Sequence, residues 1–222
     1  MSVIVFAENW EGKFKKTTFE AVSYGRQLAD MSGDSCVAVV IGNMEQDAMI
    51  LGSYGASKVI HIQGIDAFDP SVFAASIKAA AEQEGAKNVI ISGTFNGKSI
   101  VPSLSIQWEA APITNVSDVP ESASPLRVKR SAFSSKGYVV YESNADRSVI
   151  SIIPNGLGVK EIQTEAVLET MTAPALDART EVLEVDRAKN SIPLPEAELV
   201  VSGGRGLKGP ENWGMLEELA QE

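Results

Sequence analysis

Two residue types that build many active sites are almost missing from this 222-residue sequence. Cys36 is its single cysteine and His61 its single histidine. One cysteine forbids an intramolecular disulfide. One histidine removes the usual basis of a zinc site and of a Ser/His/Asp triad. Positive charge is the minority, with 19 Lys and Arg against 29 Asp and Glu and a net charge of -10. That balance excludes nucleic-acid binding through broad phosphate neutralisation. The basic run Arg127-Val-Lys-Arg130 reads as a strand with solvated charges. No apolar run is long enough to cross a bilayer as a helix. Met1-Ser-Val-Ile-Val-Phe-Ala-Glu8 lacks a basic leader and does not read as a signal peptide. A cytoplasmic compartment is expected, or a reduced organelle if a presequence has been removed.

What is present alternates in a regular way. Apolar runs at Ser2–Phe6, Ser35–Ile41, Lys58–Ile62 and Asn88–Ser92 read as strands. They are continuous, which is the mark of a sheet covered on both faces. Between them lie helical patterns over Thr17–Met31, Glu45–Tyr54 and Pro70–Gln83, with Gly33, Gly55 and Gly85 as stops. Asp69-Pro70 supplies an N-cap followed by proline at the first helical position. Strand, helix, strand with short joins predicts βαβ units and a parallel sheet. Ligands in such sheets sit beyond the strand carboxyl ends, here near Ala7–Asn9, Gly42–Asn43 and Gly93–Gly97.

The pattern changes after about residue 100. Ile100–Glu109 reads as a helix with Pro102 in its first turn, and Pro112–Val116 as a short strand. Arg127–Phe133, Tyr138–Glu142 and Val149–Ile153 read as an antiparallel meander. Glu165–Met171 and Thr180–Val185 are candidate edge strands. The expected fold is α/β: a doubly wound, mainly parallel sheet with an antiparallel β meander, followed by an incomplete second domain. Residues 1–186 form the first domain, 187–198 a polar linker with Ile192-Pro-Leu-Pro195, and 199–222 the first strand, turn and helix of the second.

Few motifs carry chemistry. Ser202-Gly-Gly-Arg-Gly206 joins an apolar strand to a helix, and its glycines let backbone approach a phosphate. It is neither a full G-x-G-x-x-G nor a Walker A motif. A tight turn with a surface arginine is the plain alternative. Ser92-Gly-Thr-Phe-Asn-Gly-Lys98 is a second such turn, with Lys98 at a helix start. Glu8, Asp118, Glu121 and Asp186 show no paired acid/base spacing. Cys36 and His61 read as core and structural residues, and Trp10, Trp108 and Trp213 as packing residues.

Together these stretches resemble one family. Val200-Val-Ser-Gly-Gly-Arg-Gly-Leu-Lys-Gly-Pro-Glu-Asn212 is similar to V-S-G-G-R-G-L-K-S-x-E-N-F, which opens the FAD-binding domain of electron transfer flavoprotein alpha subunits. Gly209 stands in the Ser place and Trp213 in the Phe place. Val5-Phe-Ala-Glu8, Gly93-Thr-Phe-Asn-Gly-Lys98 with Pro102, Ala111-Pro-Ile-Thr-Asn-Val-Ser-Asp118 and Ile152-Ile-Pro-Asn155 resemble further family segments, although Ser103 replaces the usual arginine.

The resemblance implies an electron carrier rather than an enzyme, with the chemistry carried by FAD in a heterodimer. Arg205 is its implied FAD contact, and Gly203, Gly204 and Gly206 shape the turn around it. The implied partners are a beta subunit, acyl-CoA or other dehydrogenases, and a quinone oxidoreductase. The place is the bacterial cytoplasm, or the mitochondrial matrix if a presequence was removed. In the family roughly another hundred residues follow this helix and hold most FAD contacts. This chain is therefore expected to be a scaffold and partner fragment that binds no flavin alone and is able to associate with its own copies. The rival expectations are a stand-alone nucleotide-binding sensor of adenine-nucleotide-hydrolase-like fold, and a hydrolase or lyase on the same fold.

Overall fold

The computed structural model describes residues 1–175, 180, 182–185, 194, 197 and 199–222. It comprises two compact units, Met1–Leu183 and Glu184–Glu222. Apart from Leu194 and Ala197, the stretch expected as a linker, 187–198, lies outside the described residues.

The first unit opens with β1 (Ser2–Phe6), a small hairpin of β2 (Asn9–Trp10) and β3 (Lys13–Phe14), α1 (Lys16–Ser32) and β4 (Ser35–Ile41). A 3-10 turn (Ala48–Ser53), β5 (Lys58–Gln63), α2 (Pro70–Gln83), β6 (Asn88–Ser92), α3 (Phe95–Gln107) and β7 (Ala111–Val116) follow. Then come β8 (Ser122–Ala123), β9 (Leu126–Ala132), β10 (Gly137–Ser143), β11 (Ser148–Ile152) and β12 (Val167–Thr172). The sheet order is β10-β9-β7-β11-β6-β1-β4-β5-β12, with β8 paired to β9. From β7 to β12 every neighbouring pair is parallel, and β8, β9 and β10 pair antiparallel.

The strand period of two divides the core into two layers. Val3, Val5, Ala38, Val40 and Ile90 face Ala21, Val22 and Leu28 of α1. Ile4, Phe6, Val37, Val39 and Ile91 face Ala74 and Ile77 of α2 and Ile100 and Leu104 of α3. Each fully buried aliphatic side chain contributes about 1.5–3 kcal/mol, so the sheet is stabilised from both sides. The caps behave as their sequence signals require. Asp69 accepts from the Ser71 and Val72 backbone N–H groups, and Gly33, with φ 71°, closes α1.

Several expected elements need correction. The helix expected over Glu45–Tyr54 is only the 3-10 turn Ala48–Ser53. Its Gly52 and Ser53 carbonyls accept from the Thr164 and Ile162 N–H groups of a distant segment, so they do not extend a helix. Helix α3 begins at Phe95 rather than Ile100, because the Thr94 side chain caps it, and Pro102 lies inside it. Pro102 and Lys98 are exposed, so the Lys98 carbonyl that Pro102 cannot serve lies on the wet side. Val149–Ile153 is not the third strand of the meander: β11 leaves the hairpin and enters the sheet parallel to both β6 and β7. Its neighbour β6 is buried beyond Asn88, β7 buries Ile113 and Val116, and Val149, Ile150 and Ile152 have no exposed surface. The antiparallel part is β8-β9-β10 instead. Of the second edge-strand candidate, Thr180 and 182–185 form no strand.

After β11 the chain must travel from mid-sheet to the far edge at β12, and it does so over α1. The Glu20 carboxylate, 1% exposed, accepts from the backbone N–H groups of Asn155 (2.7 Å), Leu157 (2.6 Å) and Gly158 (2.8 Å). Ser23, one turn on, accepts from the Lys160 N–H and donates to its carbonyl. Gln27 accepts from Lys160 Nζ at 3.1 Å. Residues 20, 23 and 27 lie on one helical face, so one stripe of α1 holds the crossing segment. At its end Lys58 of β5 bridges Glu84 (2.8 Å) and Glu169 of β12 (2.6 Å).

Two expected outcomes follow from these contacts. Glu20→Ala leaves three backbone N–H groups without their charged acceptor, a loss of about 3–5 kcal/mol. At about 2–4 °C per kcal/mol for a chain of this size, thermal unfolding should shift down by roughly 10 °C. A shift under a degree or two would show that the clasp is dispensable. The second outcome concerns pH. Hydrogen bonding to Lys58 holds the Glu169 carboxyl below its ordinary range, so its contribution is full at neutral pH and is lost as the pH falls through that lowered value. Lys58 is raised by Glu169 first and Glu84 second, so its share is lost only as the pH rises through its raised value. The protection factors of the β12 amides against hydrogen exchange should fall as the pH drops through that lowered value. Glu169→Gln should remove that acid step.

Candidate functional site

In a doubly wound sheet the ligand crevice lies where the strand order reverses. Here the chain runs outward from β1 through β4 to β5 and returns to place β6 on the other side of β1. The reversal therefore sits at the carboxyl ends of β1 and β6, between Ala7-Glu8 and Gly93-Thr94. Glu8 occupies it. Thr94 Oγ1 donates to Glu8 Oε2 at 2.6 Å, and Asn96 Nδ2 donates to Glu8 Oε1 at 2.8 Å. Thr94 Oγ1 also accepts from the Gly97 N–H at 3.0 Å, the N-cap bond of α3. A Cβ on Gly97 would collide with the Ser92 carbonyl, and glycine is what lets α3 start so close to β6. The Glu8 carbonyl accepts from Thr18 Oγ1 at 2.5 Å, and the Ala7 N–H donates to the Val39 carbonyl. The crevice is thus filled by an acid of the chain itself, bound to a helix start where an incoming anion would bind.

The rim beside it is equally committed. Asn9 Nδ2 donates to the Ile41 carbonyl, and His61 Nε2 donates to the Gly42 carbonyl at 2.7 Å. The lone histidine is thus a structural donor. Cys36 is buried, and burial pushes its thiol up to about 12. Asp118 pairs with Lys129 at 3.0 Å, and that bond holds its carboxyl below the usual range. Glu121 is exposed, and Asp186 lies outside the described residues. Among the described residues no group of three or more His, Cys, Asp or Glu could hold a metal ion. Trp108 is in the core, whereas Trp10 and Trp213 are 38% and 46% exposed.

The second unit carries the glycine-rich turn. The strand expected at Leu199–Val201 is absent: these residues have no strand partner among the described residues, and a strand is made by its neighbours. Arg205–Leu207 and Pro210–Asn212 are 3-10 turns, and α4 (Gly214–Gln221) begins only after them. Gly203 packs under Leu207 and Leu216, where a Cβ would collide with both. A Cβ on Gly204 or Gly206 would meet nothing within 4 Å. Arg205, between them, is exposed. The four residues singled out from sequence are therefore together, with Gly203 as packing and the other three as an open cationic turn. Asn212 steadies that turn by donating to the Leu207 carbonyl at 2.8 Å.

Sequence reasoning missed Thr94 and Asn96 as partners of Glu8. Thr-x-x-Gly at a helix start was the only signal, and the acid lies 86 positions away from Thr94. It missed Glu20 too, which reads as an ordinary helical surface acid.

The fold and its reversal point define a doubly wound α/β domain of the ligand-binding kind, with the usual ligand place taken by its own carboxylate. Comparison with known proteins gives the family. The model of the electron transfer flavoprotein domain matches residues 3–178. An electron transfer flavoprotein subunit alpha of Bacillus subtilis is 30% identical, over 99% of this chain and 69% of the relative. That of Thermoanaerobacterium thermosaccharolyticum is 26% identical over 97% and 68%. A protein FixB of Clostridium saccharobutylicum is 27% identical over 99% and 68%. The chain belongs to the electron transfer flavoprotein family, and its relatives are alpha subunits about half as long again. No described helix is long and apolar enough to cross a membrane.

Glu8→Ala should remove both bonds at the reversal point and loosen the α3 cap. A loss of about 2–3 kcal/mol is expected for hydrogen bonds to a charged group, read as a lower thermal midpoint. Glu8→Gln, which keeps one acceptor oxygen, should lose less. Equal midpoints for all three chains would contradict the account.

Proposed function

We propose that this chain is the scaffold and partner part of an electron transfer flavoprotein alpha subunit. Residues 1–186 are its amino-terminal domain, 187–198 a linker and 199–222 the opening of its FAD-binding domain. In the heterodimer with a beta subunit, electrons pass from acyl-CoA or other dehydrogenases to a quinone oxidoreductase. FAD supplies the redox chemistry when bound, and no residue of this chain is catalytic. Arg205 pairs with a phosphate of FAD, and Gly204 and Gly206 leave backbone open to it. In support, both glycines face open space and the arginine between them is exposed.

The observation that carries the partner role is the outer edge of β10. It ends the sheet, with no strand beyond it among the described residues. Successive residues Tyr138, Val139, Val140 and Tyr141 are 66%, 43%, 44% and 44% exposed, so apolar surface lies on both faces. Phe133 at the hairpin tip is 83% exposed. An unpaired apolar strand edge is a template for a further strand. The occupant we assign is the beta subunit; pairing of two copies of this chain is the competing occupant. The rival nucleotide-sensor reading places its ligand at the reversal point, where the Glu8 carboxylate repels phosphate.

Size-exclusion chromatography with the beta subunit should give a one-to-one complex. Val140→Lys, which charges the edge, should abolish it without changing the thermal midpoint. A complex indifferent to that change, or none with the unaltered chain, would refute the assignment. The chain alone should stay colourless after dialysis against FAD, because one exposed turn does not bury a ligand. A stoichiometric yellow protein would overturn that claim.

A further inference from the structure

A cavity of about 470 Å³ opens beside the reversal point, over the carboxyl ends of β6, β11 and β7. Its floor is Gly93, Ile152 and Ile153, and one wall is the β9–β10 turn from Arg130 to Ser135. Its volume lies within the few-hundred-Å³ range of small-ligand sites. Three features of its lining point the same way.

The first is charge. The chain carries 29 acids against 19 bases, yet the cavity is lined by Lys98 and Arg130 and by no carboxylate. Neither cation makes a salt bridge among the described residues. They come from elements on different sides of the opening, Lys98 from the first turns of α3 and Arg130 from β9. Two unmatched cations across a gap repel each other and are stabilised by an anion between them.

The second feature is hydrogen-bonding capacity. Ser131, Ser134 and Ser135 line the same wall, and Ser131 donates to Ser135 at 3.0 Å. Asn115 faces them from β7. Hydroxyl and amide donors beside two cations are the usual partners of phosphate oxygens. The third feature is support. Arg130 lies 5.1 Å from the Tyr141 ring, which orients the guanidinium. The floor segment is fixed by the Gly93 N–H bond to the Ile152 carbonyl and by the Glu20 clasp on Asn155 just beyond Pro154. The site is therefore built on a rigid base.

We infer that this cavity is a binding site for a phosphate or phosphate ester, held between Lys98 and Arg130. It lies off the closed crevice of Glu8 and involves no residue of the Arg205 turn; through Phe133 and Tyr141 it adjoins the β10 edge assigned to the beta subunit, and titrating the chain without that subunit keeps the two roles distinguishable.

The test is calorimetric titration of the full chain with inorganic phosphate and, separately, with AMP. Lys98→Ala, Arg130→Ala and the remote control Lys87→Ala are titrated alongside. Saturable binding of at least one probe is expected, weakened about tenfold or more by each cavity substitution, the loss of one charged hydrogen bond, and unchanged in the control. Binding should also fall as salt is raised. Phosphate alone sufficing assigns the site to the anion; AMP alone assigns it to the ester. Lys98 is exposed, whereas Arg130 is half-buried against Tyr141, so the thermal midpoint of each variant is measured and an unchanged value keeps a loss of binding interpretable. No saturable binding of either probe up to about 10 mM, beyond the millimolar range of weak ligands, overturns the inference. So does binding that survives both substitutions.

Discussion

The path of this chain depends on one buried carboxylate. Glu20 sits in the second turn of α1, almost without solvent contact, and takes three backbone N–H groups from residues 155–158. Burying an unpaired carboxylate is costly, so the bonds and the burial require each other. Through that clasp the segment after β11 is laid across α1 rather than along the sheet. It then meets the 3-10 turn at Gly52 and Ser53, bridges to Tyr54, and reaches β5 as a parallel edge strand. The clasp thus helps to carry β12 to the far edge, eight places from β10 in the sheet order. Because Asn155 also follows the floor strand of the cationic cavity, the same acid that routes the chain holds that floor in place.

Glu8 works in the same way on the functional side. The place where this fold normally admits a ligand is occupied by a carboxylate of the chain, bound to Thr94 and Asn96 at the start of α3. An acid at a helix start is favourable in itself, and it excludes a competing anion. The domain therefore keeps the scaffold of a binding fold while closing its customary site. The surfaces proposed above for a partner and for FAD, the apolar edge of β10 and the Arg205 turn, both lie away from it in the sequence.

Much of the first unit was legible in the sequence. Continuous apolar runs place β1, β4, β5 and β6 to within a residue, because a strand covered on both faces has no polar alternation to blur it. Asp69-Pro70 and Gly33 mark helix ends because their effects are local to one turn. The family was legible from contiguous motifs, Ser202–Gly206 above all. What sequence left undecided was set by contacts between distant positions. The fate of Val149–Ile153 is the clearest case. Its short apolar run suits a hairpin strand or a buried parallel one equally, and only the slot between β6 and β7 selects the second. The 3-10 turn at Ala48–Ser53 and the missing strand at Leu199–Val201 have the same origin, since a remote segment takes the carbonyls of one and no neighbour pairs the other.

The sequence alone determined the class of fold, the alternation of its first half, the absence of histidine and cysteine chemistry, and the family. These follow from residue type and local period, which act over a few positions. Tertiary structure alone decided that Glu8 closes the crevice, that Glu20 routes the chain, and that Lys98 and Arg130 face one cavity. Each of those joins residues tens of positions apart, and a carboxylate or a cation carries no mark in the sequence of the partner it will meet when the sheet assembles.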